Sequence, residues 1–273
     1  MRFLFLGDMV GRTGRMAVFR QLPDLISEYA LDFVVVNGEN AAGGFGITES
    51  ILHDTLSAGA DVVTTGNHVF DQREALSFAP REDRFLRPAN YPKGTAGRGS
   101  GLYETKKGAR VLVANLMGRV FMHPELDDPF SCAESILQDA PMGDVCDAAI
   151  FDFHAEATSE KMCFGHFLDG KVSVVVGTHT HCPTADHMIL AGGTAYQSDA
   201  GMCGDYDSSL GMEKEEPLNR FLSKVPKGRM EAASGPATIC GLCVEISDRT
   251  GLAEKVGPLR IGPWLQEIRP DFW

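Results

Sequence analysis

The sequence predicts an α/β protein built on parallel strands, and three observations carry that reading. Over the first 70 residues, short runs rich in Val and Phe alternate with helical spacings: strand, helix, strand, helix, strand. That order is the signature of parallel pairing through right-handed crossovers. Each of these strands then runs into a glycine beside polar residues: Gly7-Asp8, Gly38-Glu39-Asn40 and Gly66-Asn67-His68. Farther along, Val174-Val175-Val176-Gly177 repeats the pattern and ends in Thr178-His179-Thr180-His181. Parallel strands bring their carboxyl ends to one edge of a sheet, where open α/β folds place their ligands.

Taken in order, Phe3 to Leu6 is a first buried strand. Gly11 to Gly14 reads as a turn, and Arg15 to Tyr29 as a helix that Pro23 kinks or divides. Phe33 to Val36 is the second strand, followed by the loop Ala41 to Gly46. Thr48 is placed to cap a helix from Glu49 to about Ala58. Val62 to Thr65 is the third strand. The middle is less regular. Arg87 to Pro92 reads as an extended or turn segment, and Gly101 to Glu104 and Arg110 to Ala114 as strands about a Lys106-Lys107-Gly108 turn. Residues 117–147 hold a loop and one short helix near Cys132 to Leu137. Ala148 to Phe153 is a strand with His154 at its end, Ser159 starts a helix to about Leu168, and Val172 to Val176 is the next strand. Gly193 to Gln197, Ala237 to Ile246 and a short stretch near Leu259 to Ile261 read as later strands. No repeat, low-complexity tract or linker divides the 273 residues, so one domain over 1–273 is the expectation.

Composition narrows the function. An apolar fraction of 44% and a charged fraction of 23% are ordinary for a globular protein. A net charge of -12 argues against duplex nucleic acid or an anionic membrane as partner. A small phosphate substrate stays compatible, because a local metal charge overrides the global field. Seven scattered cysteines, an odd number, point away from a disulfide framework and toward a reducing, cytoplasmic setting. Cys240 and Cys243 lie in the apolar run Ala237 to Val244, which favours a buried strand over a zinc or redox site. The apolar start is too short for a signal sequence, and no run reaches membrane-spanning length.

The strand ends deliver Asp8, Glu39, Asn40, Asn67, His68, His154, His179 and His181. Each alone has a bland reading: Asp8 as a helix cap, Glu39 and Asn40 as turn residues, His154 as a core histidine. Independent accidents do not all fall at one edge of one sheet, so the set reads as a site. If the backbone past Val176 stays extended, His179 and His181 point to one side. Carboxylate, amide oxygen and imidazole without thiolate suit Mn, Fe or Zn more than Mg or Ca. The ligand count is enough for two ions about 4 Å apart, the spacing of paired-metal hydrolases.

Those residues resemble the calcineurin-like metallophosphoesterases, and more closely the bacterial YmdB-like branch. Asn37-Gly38-Glu39-Asn40-Ala41, Thr65 to Asp71, Arg87 to Pro92 and Asp199-Ala200-Gly201-Met202 all look like that branch. The resemblance implies a β-sandwich of two mixed sheets flanked by helices, α/β/β/α. It implies hydrolysis of 2′,3′-cyclic nucleotides or related small phosphodiesters, and a homo-oligomer. By the same resemblance Asp8, Glu39, Asn40 and His181 hold one metal, and Glu39, Asn67, His154 and His179 the other, with Glu39 bridging. His68 is the implied proton donor. The chain departs from the wider superfamily at Val10, where a histidine is usual, and at Glu39, where an aspartate is usual; Asn40 takes the place of the missing histidine. Both departures are shared with the YmdB-like branch. They leave the first site richer in oxygen, which puts Fe first and Mn second as the two-ion cofactor.

The expected mechanism is in-line attack by a metal-bridging hydroxide with His68 protonating the departing ribose oxygen. Gly43 to Gly46 would cradle phosphate or simply form a turn, and Phe45 would stack on a base. Glu156 and Lys161 are expected to sit at the surface or to support the ligands. Two other readings stay open: a metal-dependent phosphomonoesterase or nucleotidase, and a nucleotide-sensing protein without turnover. A dinucleotide-binding domain is disfavoured, because Gly7 to Gly14 lacks the Gly-x-Gly-x-x-Gly spacing.

Overall fold

Side-chain alternation along the strands sorts the apolar residues into three layers. Along β1 (Arg2–Leu6), Phe3 and Phe5 join one core while Leu4 and Leu6 join another. The same division runs through β3 (Phe33–Asn37), with Phe33 and Val35 on one side and Val34 and Val36 on the other. In β7 (Arg110–Met117) and β8 (Ala148–His154), Val111, Val113, Ala148 and Ile150 meet the central layer, and Leu112, Ala114, Ala149 and Phe151 face outward. A strand buried on both faces must lie between two covering layers. Full burial of each such Phe or Val contributes ~1.5–3 kcal/mol.

The computed structural model describes residues 1–273. The remaining strands are β2 (Asp8–Met9), β4 (Val62–Thr64), β5 (Phe85–Leu86), β6 (Ser100–Glu104), β9 (Val174–Thr178), β10 (Met188–Ile189), β11 (Ala195–Gln197), β12 (Met202–Cys203), β13 (Ile239–Ile246) and β14 (Ala253–Ile261). The helices are α1 (Gly11–Tyr29), α2 (Glu49–Ser57), α3 (Ala75–Phe78), α4 (Pro129–Asp139), α5 (Thr158–Leu168) and α6 (Glu215–Ser223). One six-stranded sheet has the order β14-β13-β1-β3-β4-β5, and a second has the order β10-β11-β9-β8-β7-β6. Both are mixed: β1, β3, β4 and β5 pair parallel, as do β7, β8, β9 and β11, while β13, β14, β6 and β10 add antiparallel neighbours. The inner faces pack on each other, α1, α2 and α3 cover the first sheet, and α4 and α5 cover the second. This is the α/β/β/α sandwich that the family resemblance implied. No helix is long and apolar enough to cross a membrane.

Toward the carboxyl ends the inner face turns from apolar to polar without losing register. Asn37 follows Val35, Thr64 follows Val62, Asn115 follows Val113, Asp152 and His154 follow Ile150, and Thr178 follows Val176, all buried. The sandwich therefore ends in a floor of buried polar groups.

Several elements differ from the sequence reading. Gly11 to Gly14 is the first turn of α1 rather than a connecting turn; the Gly11 amide donates to the Asn40 carbonyl at 2.9 Å. Pro23 does not divide α1, because Val18, Leu22, Leu25 and Tyr29 bury one continuous stripe on either side of it. Thr48 does cap α2, its Oγ1 accepting from the Ile51 amide at 3.2 Å. Helix α4 starts earlier than expected because Asp128 caps it and Pro129 opens it. Strands β2 and β12 and helix α6 were not expected, and β14 begins at Ala253 rather than near Leu259. Cys240 and Cys243 lie buried in β13, as the apolar run predicted.

Candidate metal centre

The strand ends bring their polar side chains to one place. The ligand atoms of Glu39, His154 and His179 lie within 4.8 Å of one another. His154 Nε2 is 3.0 Å from Glu39 Oε1, 3.0 Å from Asn67 Oδ1 and 3.1 Å from His179 Nδ1. A ring nitrogen carries at most one hydrogen and cannot serve three partners. Four donors aimed at one point suit a cation. Beside them, His181 Nε2 is 3.2 Å from Asn40 Oδ1 and 3.8 Å from Asp8 Oδ1. Asp8 Oδ1 is buried with no hydrogen-bond partner, an arrangement costly for a carboxylate unless a cation meets it. The donor chemistry and this orphaned oxygen fit a pair of divalent ions. Gly66 leaves the space for two of these donors: a Cβ there would overlap the Glu39 carboxylate and the His154 ring.

Local bonds aim each donor. Asn40 Nδ2 donates to the Gly44 carbonyl at 2.9 Å, which turns Oδ1 toward His181. His181 Nδ1–H donates to the Leu210 carbonyl at 2.8 Å, leaving the Nε2 lone pair facing Asn40 and Asp8. The segment holding His179 and His181 is not extended, contrary to the sequence expectation. Both residues are left-handed, with φ of 96° and 64°. The two imidazoles consequently reach different donor groups. Such backbone costs ~1–3 kcal/mol per residue and persists only when its surroundings fix it. Thr180, between them, supplies the fixing point: its amide and hydroxyl donate to Asp199 Oδ2 at 3.0 and 2.7 Å. Asp199 in turn accepts from buried Lys161 at 2.8 Å and from the Gly201 amide at 2.8 Å.

His68 lies in the same cavity, of about 450 Å³, with Glu39, Asn40, His179 and His181. Its Nδ1 is 2.7 Å from Asp71 Oδ2, and its ring stands edge-on to Phe45 at 5.1 Å. Its backbone amide donates to Glu39 Oε2 at 3.3 Å, while its ring is positioned by Asp71 and Phe45.

The family described as YmdB-like protein matches residues 4–259. The chain belongs to the YmdB-like family. It is 45% identical over 256 residues to the 2′,3′-cyclic-nucleotide 2′-phosphodiesterase of Bacillus subtilis, covering 94% of this chain and 95% of that one. A solved structure described as a novel phosphatase from Mycoplasma pneumoniae superimposes with a TM-score of 0.89 at 33% identity, over 96% of this chain and 93% of the other. The calcineurin-like phosphoesterase YfkN of Bacillus subtilis shares the fold, with a TM-score of 0.54 at 12% identity, over 96% and 90% of the two chains.

In this YmdB-like chain the buried charges stand against one another. Burial alone would raise the Glu39 carboxyl, but the nearby His154 charge and hydrogen bond, with His68 and His179, hold it down to about 2. Burial opposes charge on His154, yet Glu39, Asp8 and Asp152 hold it up at about 9. Burial and the neighbouring His154 push His179 down to about 3. Asp8 is raised, chiefly by burial. The metal-free cluster thus contains a Glu39–His154 ion pair whose proton a cation must displace.

The sequence reading missed the groups beneath the ligands. Asp152 accepts from Thr64 Oγ1 at 2.6 Å, Thr178 Oγ1 at 2.7 Å and Asn37 Nδ2 at 3.0 Å. Thr178 Oγ1 lies 2.9 Å from His154 Nδ1. Burial raises Asp152 to about 6, against the pull of His154 and these bonds. The available signal was the strand period itself, which puts Asp152 on the same face as His154. Lys161 is a buried support, as expected, and Glu156 reaches His179 Nε2 at 3.2 Å.

Proposed function

We propose that the chain hydrolyses 2′,3′-cyclic nucleotides at a two-metal centre. The observation that carries this reading is the convergence of Glu39, Asn67, His154 and His179 on one point, with the orphaned Asp8 oxygen beside Asn40 and His181. Asp8, Glu39, Asn40 and His181 would hold one ion, and Glu39, Asn67, His154 and His179 would hold the other. Oxygen donors dominate the first set, which favours Fe, then Mn. When bound, such ions supply Lewis-acid stabilisation of phosphoryl oxygens and lower the pKa of water. The cavity of about 450 Å³ has room for a small diester, and the net charge of -12 disfavours a duplex.

Water adds to phosphorus, the bond from phosphorus to the departing ribose oxygen breaks, His68 delivers a proton to that oxygen, and the proton that water releases returns to His68. Asp71 supports this by fixing His68 Nδ1, so that the other ring nitrogen is the one presented to substrate. The Bacillus subtilis relative carries the 2′ side in its name. The same regiochemistry here gives a nucleoside 3′-phosphate. A panel of 2′,3′-cyclic nucleotides, linear diesters and nucleoside monophosphates, tried on the metal-loaded chain, tests the assignment. Preferential opening of the cyclic diesters to 3′-phosphates supports it. Turnover of monoesters alone, or tight nucleotide binding without turnover, overturns it.

A further inference from the structure

The cavity above the ligand cluster has a second wall, built by α6. Pro217, Arg220, Phe221 and Lys224 stand at i, i+3, i+4 and i+7, so one continuous face of that segment looks into the cleft. The facing wall carries Phe45, from the glycine-rich loop. That ring is fixed: Gln72 Nε2 donates to the Phe45 carbonyl at 2.8 Å, and His68 packs edge-on against it. Phe221 is different. It is 74% exposed, and the group against its ring is the Lys224 ammonium at 5.8 Å. Arg220 is already committed to Glu216 at 2.8 Å and the Gly228 carbonyl at 3.2 Å. The side-chain bonds of α6 stay within its own segment, as with Glu216 to the Lys227 and Gly228 amides. The helix therefore stands over the cleft with an uncovered aromatic face at its lip.

A largely apolar cavity with two aromatic rings in its lining, beside the proposed phosphate-binding residues, suits a planar aromatic group joined to that phosphate through a sugar. We propose that the cleft between Phe45 and Phe221 is a nucleobase subsite, in which Phe221 stacks on the base while the ribose phosphate lies over Glu39, His68 and His179. This deepens the cyclic-nucleotide reading and rests on it. The walls are mostly apolar, with Leu210, Met212 and Met230 completing them, so recognition comes from the π-face that every base shares rather than from base edges. The subsite accepts purines and pyrimidines alike and rejects phosphodiesters without a base.

The test is calorimetric titration of the metal-loaded full chain with adenosine 3′-monophosphate and with its base-free counterpart, 1-O-methylribose 3-phosphate. The natural chain binds the nucleotide about tenfold or more tightly than the base-free compound. Phe221→Ala brings that ratio close to one, and Phe221→Tyr restores it. Leu222→Ala, on the same helix but outside the cavity, keeps it. A ratio near one in the natural chain, or a ratio unmoved by Phe221→Ala, overturns the subsite. Opening of 2′,3′-cyclic AMP is scored separately. A chain that prefers the base through Phe221 yet leaves the cyclic diester intact refutes the hydrolytic reading and leaves the subsite standing. Equal kcat/KM for base-bearing and base-free cyclic diesters counts against the subsite alone.

Discussion

His154 and Thr178 occupy facing positions on adjacent strands β8 and β9, and the imidazole Nδ1 lies 2.9 Å from the threonine hydroxyl. That hydroxyl donates onward to Asp152 Oδ1 at 2.7 Å, so its oxygen accepts from His154 Nδ1–H. The chain of bonds fixes the tautomer and leaves Nε2 toward Glu39, Asn67 and His179.

Thr178→Val keeps the shape of that position and removes the hydroxyl. Metal affinity of the variant should fall about 10- to 100-fold. Titration with Mn or Fe under reducing conditions measures it. Unchanged affinity would show that the strand alone orients the ring.

Metal binding should strengthen with pH. His154 is held up at about 9 by Glu39, Asp8 and Asp152 against burial, so below that pH a cation competes with its proton. Apparent affinity rises toward pH 9 and then levels, and proton release appears in calorimetry across buffers of different ionisation enthalpy. The same pair stabilises the metal-free fold fully between the ordinary carboxylate value of 4.5 and the ordinary histidine value of 6.5; the His154 contribution is lost as pH rises through about 9, and the Glu39 contribution as pH falls through about 2. A flat affinity profile between pH 6 and 9 contradicts the ion pair.

His68→Ala should keep its full metal content and lose about 10²- to 10⁴-fold in kcat. The variant loses an imidazole that Asp71 positions and keeps the backbone amide that donates to Glu39, so elemental content is the internal control. Loss of metal together with turnover would place His68 among the ligands instead.

Gly66→Ala puts a methyl group where the Glu39 carboxylate and the His154 ring stand. The variant should fold but bind metal poorly. Retained far-ultraviolet circular dichroism with at least half of the metal lost is the expected pair of readings; full metal content contradicts the packing.

Much of the parallel core was legible, because Phe33 to Val36 and Val174 to Val176 are β-branched or aromatic runs buried on both faces. Most of the residues placed at strand ends were legible because glycine followed by a polar side chain marks where a buried strand must stop, whereas His154 follows Phe153 and closes an apolar run. What escaped lies where tertiary context outweighs local pattern. Two-residue strands such as β2 and β12 exist only because Asp8 and Met9 find Met202 and Cys203 beside them. The left-handed turn at His179 and His181 depends on Asp199 and Lys161, both remote in sequence from that turn. Asp152 was readable from the strand period but hidden by its place inside an apolar run. Asp128-Pro129, a capping residue before a first-turn proline, was an available sign for α4 that the shorter helix assignment passed over.

Under the proposed function, Asp8, Glu39, Asn40, Asn67, His154, His179 and His181 together bind two ions. Elemental analysis of the chain purified without added metal, alongside His154→Ala and Asp8→Ala, tests it most directly. Two transition-metal ions per chain, mainly iron, are expected, with the content falling in both variants. One ion or none in the natural chain, or two ions surviving in both variants, would contradict it.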